Sequence, residues 1–120
     1  RYNVRTSSID APVTSLSGGN QQKLVVGREL ARAPRLMIAA QPTRGLDIGS
    51  AAAFHQALIG LRDSGGGVLL LSLDLNEVFT IADRIVVFRQ GRIVGETSTA
   101  EADTDQIGRW MSGVEQEERP

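Results

Sequence analysis

The chain has 120 residues, with 13 Lys and Arg against 14 Asp and Glu, and a formal net charge of −1. This length is that of one small domain, and so small a charge attracts no polyanion, so we expect no nucleic-acid partner. Cysteine is absent, which excludes disulfides and thiolate metal sites.

Apolar periodicity and chain-breaking residues predict alternating helices and short strands. Ser17 offers an N-cap hydroxyl to a first helix, and Pro34 ends that helix. Glycines 65–67 allow the chain to leave a second helix, and the pair at 90–91, Gln-Gly, is typical of a hairpin turn. The predicted elements, in chain order, are a short strand near 2–4, a helix over 19–32, a strand over 36–39, a helix over 49–63, a strand over 68–72, a helix over 75–82, strands over 84–89 and 92–97, and a helix capped by Thr104 that turns Ile107, Trp110 and Met111 inward.

The strands define the fold class. Residues 36–39 form a continuous apolar run, which is typical of a strand buried on both faces of a parallel sheet. Together with the helix over 49–63 and the strand over 68–72, this run predicts a β-α-β unit. The sequence therefore predicts an α/β fold that ends in an antiparallel hairpin and a helix, and we expect the charged residues 114–120 to form a disordered tail.

Residues 16–23, Leu-Ser-Gly-Gly-Asn-Gln-Gln-Lys, have the chemistry of an anion-binding helix start. Ser17 can donate a hydroxyl hydrogen bond, and Gly18 and Gly19 let backbone N–H groups approach a phosphate closely. The following helix directs its positive end to the same place. Taken alone, the pattern is equally typical of a capped helix that follows a flexible turn.

Two motifs carry a resemblance to a known family. Residues 16–23 resemble the signature motif of ATP-binding-cassette (ABC) ATPases, and residues 42–47, Pro-Thr-Arg-Gly-Leu-Asp, resemble the D-loop region of the same family. The Asn at 20 and the Arg-Gly at 44–45 resemble the variants found in importers of simple sugars and nucleosides. The resemblance covers residues 14–97 and implies the C-terminal half of an ABC-type P-loop NTPase domain, with a partial parallel sheet, flanking helices and a C-terminal β-hairpin.

The resemblance also implies domain organisation and ligand contacts. Residues 1–113 would be the C-terminal part of a nucleotide-binding domain, the second of two on one longer chain. In the family, two such domains enclose two ATP molecules, and each ATP touches the phosphate loop of one domain and the signature motif of the other. The residues that the resemblance places at the nucleotide are Ser17, Gly18, Gly19, Gln21 and Asp47. Asp47 would lie at the seam between the domains, and its alternative role is the N-cap of the helix over 49–63.

Three positions depart from the family pattern. The Walker B strand of the family ends in an Asp that orients Mg²⁺ and a Glu that polarises the attacking water, and here these positions hold Ala40 and Gln41. A methyl group cannot bind a hard cation, and an amide is a far weaker proton acceptor than a carboxylate. Leu73 stands at the position of the switch His and cannot contact a γ-phosphate through a hydrogen bond. Its alternative role is to pack at the strand end, beside an N-cap at Asp74. We therefore predict no catalytic residue and no metal ligand in this chain.

The sequence also lacks a GxxxxGK[ST] phosphate loop. We expect the chain alone to bind ATP weakly and to be inactive, with ATP and Mg²⁺ as cofactors of the full-length assembly. The single histidine, His55, lies in a predicted helix with no second His and no Cys in the sequence, which favours an ordinary helix residue over a metal ligand.

The implied function is that of the ATP-binding subunit of an ABC importer for sugars or nucleosides, an ATPase that couples hydrolysis to transport. The implied partners are the other nucleotide-binding domain, on the same chain, and transmembrane permease subunits, which place the protein peripherally on the cytoplasmic face of the inner or plasma membrane. The absence of an initiating Met leads us to expect a piece of a longer chain. We expect this piece to self-associate by strand pairing or exchange, because half a domain leaves helices without their sheet partners and exposes an edge strand. Two alternatives stay open: a non-catalytic interaction or regulatory ABC module, and a non-transport ABC protein of DNA repair or translation.

Overall fold

Helices and strands alternate along residues 2–114, the part of the chain that this computed structural model describes. The chain divides into two compact units, Arg1–Ser72 and Leu73–Pro120. The first contains α1 (Gly18–Ala31), β1 (Leu36–Ala40), α2 (Ile48–Asp63) and β2 (Gly67–Leu71), and the second contains α3 (Leu75–Ile81), β3 (Arg84–Arg89), β4 (Arg92–Ser98) and α4 (Thr104–Ser112). Short 3₁₀ turns occupy Val13–Ser15 and Thr99–Glu101. Each predicted helix is present, with bounds that differ by one residue at most from the prediction.

The first unit is the predicted β-α-β arrangement. β1 and β2 pair in parallel, with Leu36 opposite Gly67 and Ala40 opposite Leu71. The connecting helix α2 contacts β2 and buries its apolar face. The buried apolar side chains of this unit are Met37, Ala39, Phe54 and Leu58. Burial of these side chains is the main stabilising contribution that the unit can draw on.

The outer face of this parallel sheet contradicts the prediction that the strand over 36–39 is buried on both faces. Leu36 and Ile38 are 59% and 65% exposed, and Leu69 and Leu71 on β2 are 52% and 47% exposed. Alternate residues of a strand point to opposite faces, so these four side chains share one face. The apolar run correctly predicted the strand, but it could not show that the described residues cover one face of the sheet and leave the other open.

The short strand predicted near residues 2–4 is also absent. The ring of Tyr2 instead lies against α1 at Gly27, where a Cβ would come within 2.7 Å of Tyr2 Cδ2. The segment is held by this side-chain contact rather than by strand pairing. Gly27 is the residue of α1 that is buried.

The second unit is built on the predicted antiparallel hairpin. β3 and β4 pair with a bulge between Val87 and Phe88. The turn residues Gln90 and Gly91 both have positive φ angles, 50° and 75°, as a tight hairpin turn of the primed type requires. Helices α3 and α4 supply the apolar side chains that complete the core, which contains Ile85, Val87, Ile107, Val78, Phe79 and Trp110.

Two details of α4 differ from the prediction. The N-cap is Asp103 rather than Thr104, because the Asp103 carboxylate accepts from the backbone N–H of Asp105 at 3.1 Å. Met111 is 38% exposed, whereas Ile107 is 1% exposed. Met111 lies in the last turn of the helix, one residue before its end, where fewer neighbours surround a side chain. Within residues 2–114, no helix combines the length and the apolar character needed to cross a membrane.

Candidate functional site

Ser17 begins α1 and caps it with its side-chain oxygen. The Oγ accepts from the backbone N–H of Asn20 at 3.3 Å and from Asn20 Nδ2 at 3.0 Å. The Asn20 amide is oriented from its other end, because the backbone N–H of Arg5 donates to Oδ1 at 2.9 Å. A hydroxyl has two acceptor lone pairs and one donor proton. Both lone pairs are used here, so the O–H of this exposed serine remains available to donate.

Gly18 and Gly19 follow the cap and face open space. A Cβ built at either position would meet no atom within 4 Å, so the packing of the described residues does not require glycine there. Because glycine has no side chain, an outside molecule can approach the first backbone N–H groups of α1. These groups have no partner inside the helix and carry its positive partial charge, which suits an anion.

Gln21 turns its side chain back toward the segment that precedes the helix. Its Nε2 donates to the carbonyl oxygens of Val13 and Leu16 at 3.2 and 3.1 Å. These bonds fix the loop from which Ser17 projects. A contact between Gln21 and a nucleotide stays a prediction.

Asp47 is the N-cap of α2, as the alternative reading of that residue predicted. Its Oδ1 accepts from the backbone N–H of Ser50 at 2.8 Å, and its Oδ2 accepts from Ser50 Oγ at 2.7 Å. These hydrogen bonds lower the pKa of the Asp47 carboxyl below its ordinary value, and the bond from the Ser50 hydroxyl has a larger effect than the bond from the Ser50 backbone amide. Burial opposes this lowering of the pKa, and the charge of Lys23 adds a smaller lowering effect.

One cleft is lined by three of the predicted site residues, Ser17, Gly19 and Asp47, but not by Gly18 or Gln21. It has a volume of about 1130 Å³ and runs along α1 and α2 from their starts to their ends. Its polar lining includes Ser17, Asn20, Lys23, Asp47 and Ser50, and Gly19. The anion-binding start of α1 and the capped start of α2 thus face a common space.

The end of β1 offers no carboxylate. Ala40 ends the strand opposite Leu71, and the backbone N–H of Gln41 donates to the Leu71 carbonyl at 2.8 Å. Gln41 has a φ of 48°, and its carbonyl accepts from the N–H of Arg44 at 3.2 Å, so the chain turns sharply here. A methyl group and an amide do not form the oxygen-rich, anionic site that Mg²⁺ requires. The side chains at this strand end therefore do not fit the metal ion that the family would bind there.

Leu73 stands alone before α3 in the second unit. Its side chain is 76% exposed, so the expectation that it packs at the strand end is wrong. The residue precedes the N-cap and lies outside the helix. The prediction for Asp74 is confirmed, because its Oδ1 accepts from the backbone N–H groups of Asn76 and Glu77 at 2.9 and 3.4 Å.

His55 is a half-buried residue of α2. Among residues 2–114, no group of three or more His, Asp or Glu side chains is arranged to hold a metal ion.

Two side chains of the site were not identified from the sequence. Asn20 orients the Ser17 hydroxyl, and the spacing Ser-x-x-Asn, a variant of the capping box, could have indicated this contact. Gln22 donates from Nε2 to the Pro42 carbonyl at 3.0 Å. Nothing in the sequence signals that bond, because the two residues are 20 positions apart and meet only in the folded chain.

Comparison with solved structures identifies the class of fold. The chain matches a dimeric ATP-binding cassette in a post-hydrolysis state, bound to ADP and Pi, with a TM-score of 0.67 and 30% sequence identity. The match covers 72% of this chain and 37% of the other. The fold is therefore that of part of an ABC ATPase domain, with its parallel sheet, helices and antiparallel hairpin, and the predicted fold class is confirmed.

Particular relatives narrow the resemblance. The chain is 47% identical over 117 residues to the guanosine import ATP-binding protein NupO of Bacillus subtilis (strain 168). The aligned residues are 98% of this chain and 23% of that protein. It is 42% identical over 114 residues to the ribose import ATP-binding protein RbsA 2 of Rhizobium etli, and the aligned residues are 95% of this chain and 22% of that protein. No family model matches the chain. The resemblance inferred from the sequence is confirmed: the homologues are ATP-binding proteins of sugar and nucleoside importers, and this chain spans less than a quarter of their length.

Proposed function

We propose that this chain is the part of an importer ATPase that supplies the signature motif to a composite ATP site. In this proposal it belongs to the second nucleotide-binding domain of a longer polypeptide that takes up sugars or nucleosides. Its relatives, which are named as guanosine import and ribose import ATP-binding proteins, support this class of function.

The observation that carries the proposal is the arrangement of Ser17. The Asn20 side chain and backbone occupy its acceptor lone pairs, so its hydroxyl proton can point to a ligand. The exposed N–H groups at the start of α1 add donors and positive partial charge at the same place. A phosphate oxygen that approaches this helix end would accept from both sources.

The proposal also makes the two ATP sites of the assembly unequal. Ala40 and Gln41 provide neither a metal ligand nor a strong proton acceptor, and Leu73 provides no polar contact. The ligands of Mg²⁺ and the catalytic carboxylate would then belong to the other nucleotide-binding domain. Ser17 and its helix would complete the nucleotide site of that domain. Asp47 would lie at the seam between the two domains.

The same reading gives the partners and the location. The other nucleotide-binding domain, on the same polypeptide, is the direct partner, and dimeric assembly of the solved cassette supports pairing of this kind. Permease subunits would hold the protein peripherally on the cytoplasmic face of the membrane.

The test is made in the full-length protein by measuring ATP hydrolysis. Ser17→Arg places bulk and positive charge where the phosphate would accept, so we expect it to abolish most turnover. Ser112→Arg is the matched control, because Ser112 is an exposed residue at the end of α4 and a cation there is favourable to the helix dipole. If wild-type protein does not hydrolyse ATP, or if both arginine variants keep full turnover, the proposal is wrong.

A further inference from the structure

Helix α1 is hydrogen-bonded to the loop that follows β1 through the Gln22 side chain. Gln22 donates from Nε2 to the carbonyl oxygen of Pro42 at 3.0 Å, at the start of this loop. Lys23 lines the same cleft as Asp47, at the end of the loop, and its charge acts on the Asp47 carboxylate. The loop over residues 41–47 is therefore hydrogen-bonded to α1 near its start, and its end at Asp47 faces the same cleft as α1.

The Pro42 carbonyl accepts from a side chain of α1 and takes no part in the backbone hydrogen bonds of the turn. The carbonyl of Gln41 accepts from the N–H of Arg44 at 3.2 Å, and that of Thr43 accepts from the N–H of Leu46 at 3.0 Å. Pro42 lies between these two residues and is buried. A buried carbonyl without a partner costs free energy comparable to a lost hydrogen bond, and the Gln22 amide is the group that meets this need.

The Gln22 bond also fixes the position of the helix along the loop. Gln22 lies in the second turn of α1, five residues after Ser17, so the distance between them along the helix is set by its rigid geometry. The loop ends at Asp47, the N-cap of α2. Ser17 and Asp47 both line the common cleft. They are linked to each other by the first turns of α1, the hydrogen bond from Gln22 to Pro42, and the loop that follows Pro42.

We propose that Gln22 is a positioning residue, which holds the ligand-facing start of α1 and the loop ending at Asp47 as one body. This inference rests on the proposed function, because it assigns to Gln22 an effect on ATP turnover that acts through Ser17 and Asp47. Gln22 itself does not touch the nucleotide.

The experiment compares Gln22→Leu with Gln106→Leu in the full-length protein. Leucine keeps much of the glutamine volume and removes the donor, and Gln106 is an exposed glutamine of α4. A hydrogen bond of this kind contributes about 0.5–1.5 kcal/mol, which corresponds to about a twofold to tenfold change in rate. We expect Gln22→Leu to lower kcat by that factor with little change in KM for ATP, and Gln106→Leu to change neither.

A double-mutant cycle separates positioning from a general loss of stability. In an Asp47→Ala background the loop end no longer has its carboxylate, so we expect the effect of Gln22→Leu on kcat to fall below about twofold. An equal fold-change in both backgrounds would overturn the proposal. Should Gln22→Leu fail to fold, Gln22→Ala and Gln22→Met enter the same cycle.

Hydrogen exchange gives a readout that does not depend on turnover. Loss of the Gln22 bond should speed exchange of the amides of Arg44 and Leu46 by about threefold to tenfold, whereas Gln106→Leu should leave them unchanged. Unchanged exchange in Gln22→Leu contradicts the inference. A wild-type protein without ATPase activity would instead count against the proposed function, so the two failures are distinguishable.

Discussion

Gln41 holds a backbone conformation that residues with side chains avoid. Its φ of 48° lies in the left-handed region, which costs a non-glycine residue about 1–2 kcal/mol. The bond from its N–H to the Leu71 carbonyl and the turn bond to Arg44 hold it there. The strain is therefore retained because the neighbouring hydrogen bonds determine the path of the chain.

Replacement of Gln41 by glycine should relieve this strain. We expect Gln41→Gly to raise the free energy of unfolding by about 1 kcal/mol, since glycine adopts a positive φ without steric cost. Urea unfolding followed by circular dichroism measures the change. The matched control is Gln56→Gly in the exposed interior of α2, which should lower the free energy of unfolding by about 0.5 kcal/mol. A shift of the same sign in both variants would contradict this account.

At the scale of elements, the hairpin and α4 fit together through a glycine. A Cβ built at Gly95 on β4 would overlap the ring of Trp110 on α4. The ring therefore lies flat on the backbone of the strand, and the packing of α4 depends on the absence of a side chain at this position. Trp110 also contacts the core that contains Ile85 and Ile107.

Gly95→Ala should displace the tryptophan ring from the strand. Overpacking of this kind costs about 1–3 kcal/mol, and because the chain has one tryptophan, its emission reports the displacement directly. We expect a red shift of the fluorescence and a lower unfolding midpoint. In Gly108→Ala, a Cβ in α4 would meet nothing within 4 Å, so this control should keep the emission and gain stability from its helix propensity. An unchanged spectrum in Gly95→Ala would show that the ring does not rest on the strand.

At the scale of the whole molecule, the sequence predicted those features that depend on neighbouring residues in the chain, and it missed those that depend on tertiary contacts. The helix caps at Ser17, Asp47 and Asp74 could be predicted, because a short polar side chain just before a helical pattern of apolar residues can accept from the first helical N–H groups. The contact between Gln22 and Pro42 was not legible, because it depends on tertiary packing. The open face of β1 was missed for the same reason: an apolar run shows that burial is favourable and does not show which surface supplies it.

That open face has a consequence for the chain in solution. Ile38 and Leu69 lie opposite each other in the parallel pair and are 65% and 52% exposed, with Leu36 and Leu71 beside them on the same face. Parallel sheets are covered on both faces in folded proteins, and a contiguous exposed apolar face promotes association. We expect the 120-residue chain to self-associate through this face.

The double variant Ile38→Lys with Leu69→Lys should therefore shift the chain to a monomer in light scattering, with its helical circular dichroism retained. Phe88→Lys with Ile93→Lys is the matched control, because these residues are also a cross-strand pair, 69% and 59% exposed, but lie in the hairpin of the other unit. Like charges placed opposite each other cost a similar amount of stability in the two sheets. Only the first variant should change the mass, since only it charges the open face of the parallel sheet. A wild-type chain that stays monomeric at high concentration, or association that persists in the Ile38 and Leu69 variant, would contradict the assignment of this face.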